Sequence, residues 1–191
     1  MDYLARQKVG GINLNSYHLF QLPIPAFPSE KENNWHREIC LRAFELTYTS
    51  WDLEHLAKEY NYTNEIGDPL PPFIYDENRR HLLRCEIDSI VSLMYNLSKE
   101  ELTWILDAKY PSESFRVLKE SEIKEFGKYK TQENILKVYD KMAEAIKTGK
   151  PYQTILDPPP GPTTDAQGNF IPMAQWDVNN WPVHIHKPRS V

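Results

Sequence analysis

DENRRHLLRCEIDSIVSLMYNLSKEELTWIL, residues 76–106, is the stretch whose reading decides the fold. Leu83, Ile87, Ile90, Val91 and Met94 recur at helical spacing and so share one face of a long helix. Arg79, Arg80, Arg84 and Asp88 lie mostly off that face. Arg84 and Asp88 stand four apart, the spacing of a weak solvent-side pair. Ser98, followed three residues later by Glu101, has the form of a capping box, in which each side chain satisfies the other residue's backbone N–H. A second helix should therefore begin there, with Leu102, Ile105 and Leu106 as its buried face. Helix, tight turn and capped shorter helix make a helical hairpin on which other segments can pack. The expected fold class is mainly α: a helical bundle around a hairpin at about residues 76–106, with a short extended N-terminal segment and an irregular Pro-rich C-terminal tail.

Outside the hairpin, composition sets the bounds. A chain of 191 residues, 40% hydrophobic and 26% charged, suits one ordinary globular domain with a core. A net charge of −5 excludes general electrostatic capture of nucleic acid or anionic membrane, so any such contact needs a local basic strip. No apolar run approaches the roughly 20 residues of a membrane span, and no signal-peptide core is present at the N-terminus. A soluble cytoplasmic protein is expected. Cys40 and Cys85 both sit in apolar helical patterns and read as reduced, buried thiols.

Taken in order, residues 1–28 hold the turn Gly10-Gly11 and a broken apolar segment from Ile12 to Ile24 that ends among Pro23, Pro25 and Pro28. So short an apolar segment needs a partner, which is expected in sequence upstream of it, making 1–28 the end of an upstream domain or an extended arm. Residues 29–150 form the helical domain. Two helical pieces are expected between Trp35 and Lys58, broken at Thr47–Ser50, where cap and turn formers cluster. Asn61–Pro72 reads as a loop. Pro111 should end a helix, Phe115–Phe126 should form a short one, and Gly127 should stop it. Ile135, Val138, Tyr139, Met142 and Ile146 mark a last amphipathic helix closed by Gly149 and Pro151. Residues 151–191 form the Pro-rich, largely non-helical tail, and Trp176 and Trp181 suggest that it packs onto something.

Chemistry-bearing motifs are few. There is no Gly-rich phosphate loop. Asp157-Pro158-Pro159-Pro160 approaches the acidic-Pro-Pro-aromatic motif that holds a flipped adenine, but Pro160 cannot stack on a base, so a proline-rich connector is the better reading. His184 and His186 alternate as metal ligands could, but only Asp177 offers a third donor, so no metal is expected. Glu86 and Asp88, two apart on a helix, do not face each other, and Glu86 is expected to partner a nearby arginine. Two basic strips remain. Arg6-Gln7-Lys8 precedes the Gly10-Gly11 turn. Lys119, Lys124, Lys128 and Lys130 form the second, with Tyr129 between the last two. Such residues suit phosphate contacts that position a duplex without reading it. The competing reading is a solvated face, because Glu120, Glu122 and Glu125 interleave with the second strip.

Several stretches resemble one family. Ala5–Gly11 through Leu22-Pro23-Ile24-Pro25 looks like the end of a target recognition domain in large bacterial restriction–modification methyltransferases. Glu45–Leu53, Leu83–Asp88 and Gly127–Thr131 resemble the helical C-terminal region of the same enzymes, type IIG-like adenine-specific DNA methyltransferases and phage-defence methylases. The likeness runs in consistent order from about residue 3 to Pro158, and the tail after Gly161 has no counterpart in it. It implies a C-terminal helical module that supports target recognition, with candidate contacts to the backbone of double-stranded DNA. The family's S-adenosylmethionine chemistry belongs to an upstream domain, so no cofactor and no catalytic residue is carried onto this chain. Arg6, Lys8, Lys128 and Lys130 are carried over only as candidate DNA-facing positions. The implied partners are the upstream methyltransferase and recognition domains. The alternative is a protein–protein scaffold of a phage-defence complex with no DNA contact, docking through the Trp35–Trp51 region and the tail.

Overall fold

The computed structural model describes residues 20, 23, 35–64, 66–107, 113–162 and 181–189. Six α-helices lie among them: α1 (Trp35–Thr47), α2 (Glu54–Glu59), α3 (Glu77–Met94), α4 (Lys99–Asp107), α5 (Arg116–Phe126) and α6 (Lys130–Thr148). Short 3-10 turns, Trp51–Leu53 and Glu113–Phe115, precede α2 and α5. No strand occurs among the described residues. Two isolated bridges, Thr63 with Pro69 and Phe73 with Ile185, are the β pairing present. The mainly helical class expected from the hairpin is what the chain adopts. The expected arm 1–28 apart from residues 20 and 23, the Pro111 stop and Trp176 lie outside the described residues.

The hairpin forms for the reasons its sequence offers. Asp76 caps α3, its carboxylate accepting from the Arg79 amide at 2.7 Å. The turn after α3 uses Asn96 at φ 54°, and the Leu97 amide reaches back to the Ser92 carbonyl. The capping box is reciprocal: the Ser98 amide donates to Glu101 Oε2 at 2.8 Å and the Glu101 amide to Ser98 Oγ at 3.2 Å. Leu102 and Leu106 are buried below it.

One expectation about α3 needs correction. Its buried positions include Cys85, Glu86, Ser89 and Ser92 beside Leu83 and Ile90, so the helix presents a polar seam as well as an apolar one. Ser89 Oγ lies 2.8 Å from the Cys85 carbonyl and 3.0 Å from that of Ile135 in α6. The Tyr152 hydroxyl donates to Glu86 Oε1 at 2.5 Å. Arg79 is not a solvent-side residue either, as described below.

The chain divides into two units: Met1–Asn33 with Cys85–Gln153, and Asn34–Arg84 with Thr154–Val191. In the first unit α4 and α5 pack on α6. Its core joins Cys85, Leu102, Leu106, Ile135 and Tyr139, and the Tyr139 hydroxyl donates to the Leu97 carbonyl at 2.6 Å. Four of the five apolar positions read in α6 are buried; Ile146, in the last turn, is exposed.

The second unit has an aromatic core of Phe44, Tyr48, Tyr62 and Phe73 with Ala57, Leu70 and Ile185. Tyr62 stacks on Phe73 (5.9 Å), and Phe44 meets Phe73 edge-on at 5.5 Å. Such pairs contribute about 0.5–1.5 kcal/mol each beyond their area. The break between α1 and α2 falls where expected, and Tyr48 inside it is buried, its hydroxyl donating to the Leu70 carbonyl. The tail is non-helical where described, and it is packed: Leu156, Pro160, Gly161, Pro162, His184 and Ile185 are buried in this unit.

Candidate functional site

The lysines of the basic strip read from the sequence have different surroundings in the first unit. Lys119 Nζ lies 2.8 Å from the Asp107 carbonyl and 2.9 Å from its carboxylate, and so neutralises the C-terminal end of α4. Lys128 and Lys130 flank the corner between α5 and α6. Gly127 makes that corner by taking φ 72°, with its amide on the Ile123 carbonyl. The N-terminus of α6 has no side-chain cap from Tyr129. Glu122 of α5 supplies one instead: its carboxylate accepts from the Thr131 amide at 2.7 Å and the Thr131 hydroxyl at 2.5 Å. A buried carboxylate thus sits where the helix dipole favours an anion.

The two lysines differ in what surrounds them. Lys128 pairs with Glu133 at 2.6 Å, both side chains more than half exposed. An exposed pair of this kind contributes about 0–1 kcal/mol and is screened by salt, so Lys128 can change partners at little cost. The Lys130 ammonium stands 5.1 Å above the centre of the Phe126 ring. Tyr129 between them is buried, its hydroxyl has no hydrogen-bond partner among the described residues, and burial pushes its phenol far up. Tyr129 is therefore a core residue and offers no stacking surface. Arg6 and Lys8 lie outside the described residues.

A second polar cluster, missed by the sequence reading, is buried in the second unit. Arg79 and Glu45 pair side-on, Nε to Oε1 at 2.5 Å and Nη2 to Oε2 at 3.1 Å. Arg79 also donates to the carbonyls of Pro158 (2.8 Å) and Pro159 (3.2 Å). Three successive prolines carry no N–H, so the first donor after them is the Gly161 amide, and it goes to Glu45 Oε2 at 2.8 Å. Gly161 holds φ 81°, and a Cβ there would come within 2.9 Å of Leu41 Cδ2. Its carbonyl accepts from His184 Nε2 at 3.0 Å. The segment expected to be a connector is thus anchored at both its carbonyls and its first amide. The run of prolines marks a stretch without amide donors, but nothing in the sequence names the donor for its carbonyls.

The charges of Arg79 and Glu45 in this cluster satisfy each other. No group of three His, Cys, Asp or Glu side chains among the described residues could hold a metal. His184 is buried and His186 exposed, and Asp177, the third donor read from the sequence, lies outside the described residues. Neither cysteine is in a disulfide; Cys40, expected to be buried, is only half-buried, while burial pushes the Cys85 thiol up to about 12, with Asp88 and Glu122 adding to the shift, and so suppresses its thiolate. Nor does the Trp35–Trp51 region present two exposed tryptophans. Trp35 is buried, and Trp51 is partly covered, with the Arg189 guanidinium 4.5 Å above its ring.

No family model, curated protein or solved structure matches this chain.

Proposed function

We propose that this chain is a non-catalytic helical module of a cytoplasmic, adenine-specific DNA methyltransferase of the restriction–modification type, and that it works by seating the parent enzyme's recognition domain. The observation that carries the protein-contact role is α5. Of its eleven residues Glu122 alone is buried, while Val117, Leu118, Ile123 and Phe126, all its apolar residues, are 40–76% exposed. A helix that buries a carboxylate and leaves its hydrophobic residues in water is built to meet another surface. The resembling stretches are consistent with this role, because they hold architectural groups: Glu45 of the buried ion pair, Glu86 beneath Tyr152, and Thr131 on Glu122. S-adenosylmethionine would belong to the parent's catalytic domain. No helix among the described residues is long and apolar enough to cross a membrane.

The pairing of Lys128 with Glu133 and the occupied start of α6 favour a second reading, a docking module that never touches DNA. A salt titration of binding to a random-sequence duplex separates the two. Phosphate contacts give a log–log slope of about −0.9 each. A slope worth two or more contacts, lost in Lys128→Glu/Lys130→Glu, places DNA on the α5–α6 corner. Absence of binding at low salt removes DNA from this module and leaves the docking role.

A further inference from the structure

His184 stands in the turn leading into the bridge between Phe73 and Ile185. Around it the Ile74 amide donates to the His184 carbonyl (2.8 Å) and the His186 amide to that of Pro72 (2.9 Å). Its imidazole is 3% exposed and stacks on the Phe73 ring at 5.9 Å. Because the Gly161 carbonyl can only accept, the neutral ring carries its proton on Nε2 and leaves Nδ1 as a bare lone pair. Nδ1 has no hydrogen-bond partner among the described residues.

Every element packed on the ring bears on its charge. α3 presents the Arg79 guanidinium, which disfavours a second positive charge, and α1 presents the Glu45 carboxylate, which favours one but is already committed to Arg79 and Gly161. Pro72–Ile74 and Pro158–Gly161 carry no titratable side chain. On its own segment His186 and Lys187 are exposed. A second proton would thus create a buried N–H without an acceptor and a cation beside an arginine, which costs far more than the same step in water.

We propose that His184 is the catch of an acid-released latch: protonation of its ring detaches the segment Trp181–Arg189 from the aromatic core of the second unit. Burial is the main cause that lowers the affinity of this imidazole for a proton, and Arg79 adds to it, outweighing Gly161 and Glu45. The sign follows from linkage. The released segment binds a proton at the ordinary histidine value of 6.5, and the latched one binds it only at lower pH. The latch is therefore at full strength above that value and weakens progressively as pH falls toward the latched value. Release uncovers the Phe73 ring and frees the backbone groups of Ile74 and Pro72.

Hydrogen exchange at the Ile74, Ile185 and His186 amides reads the latch directly. Between about pH 7.5 and about pH 5, after correction for intrinsic exchange, the wild type should lose protection at these amides. His184→Gln keeps a donor for the Gly161 carbonyl and cannot titrate, so it should hold the same protection at both ends. Unchanged protection in the wild type overturns the proposal, and so does an equal loss in the variant. Should His184→Gln not fold, the wild-type ring decides: its NMR titration must fall below the ordinary histidine value of 6.5 and coincide with the amide loss. An ordinary midpoint, or a latch that stays shut through the titration, refutes the idea.

Discussion

Replacing Arg79 by Met would strand the Glu45 carboxylate in a buried site and leave the carbonyls of Pro158 and Pro159 without donors. The expected loss is about 3–5 kcal/mol, and the double variant Arg79→Met/Glu45→Met should lose less than the single one, since apolar groups can replace a buried pair more cheaply than half of it. Urea unfolding of the three proteins tests this ordering. Gly161→Ala should cost about 1–3 kcal/mol through strained backbone and overpacking against Leu41. None of this was legible from local sequence. Periodicity assigns a polar residue on a helix to solvent, and the partners of Arg79 lie 34 and 79 positions away. His184 was noticed for its spacing to His186, whereas what distinguishes it is a buried Nδ1 without a hydrogen-bond partner among the described residues.

Among the elements, those with caps and a strong period were readable: the α3–α4 hairpin, its reciprocal capping box, and α6 down to its glycine stop. Ser98→Ala should remove half of that box and cost about 1 kcal/mol, measured as a shift in the unfolding midpoint at constant m-value. α5 was readable as a helix but not in its orientation. Its apolar residues are spread around the wheel, and only the fold of the first unit shows that the face turned inward is the one carrying Glu122. Ile123→Lys/Phe126→Lys should therefore change stability by about 0.5 kcal/mol or less at each exposed site, apart from any loss of the Phe126–Lys130 contact, while abolishing association with a protein partner. A large stability loss would instead mean that α5 is an ordinary core helix.

Across the whole molecule, α3 supplies residues to both units, the division falling between Arg84 and Cys85. Arg84 is exposed, with a long contact to Glu77 at 3.5 Å, so Arg84→Ala should be nearly silent. Arg84→Pro breaks the helix at that point, costs about 3 kcal/mol, and should lower exchange protection in both cores at once. The units could not be foreseen from composition, because each is assembled from two stretches that alternate along the chain. The Pro-rich run looked like a place where structure stops, and it is where the second unit is closed.

That interrupted connectivity sets a timetable for synthesis. A ribosome adds roughly 5–20 residues per second, and Tyr152, which closes on Glu86, emerges before Pro158–Gly161. Glu45 must wait for the Gly161 amide, 116 positions downstream. During that interval Arg79 lacks the carbonyls of Pro158 and Pro159 and Glu45 lacks the Gly161 amide, which is the stage at which a chaperone, or the neighbouring polypeptide of an assembly, would find the site open.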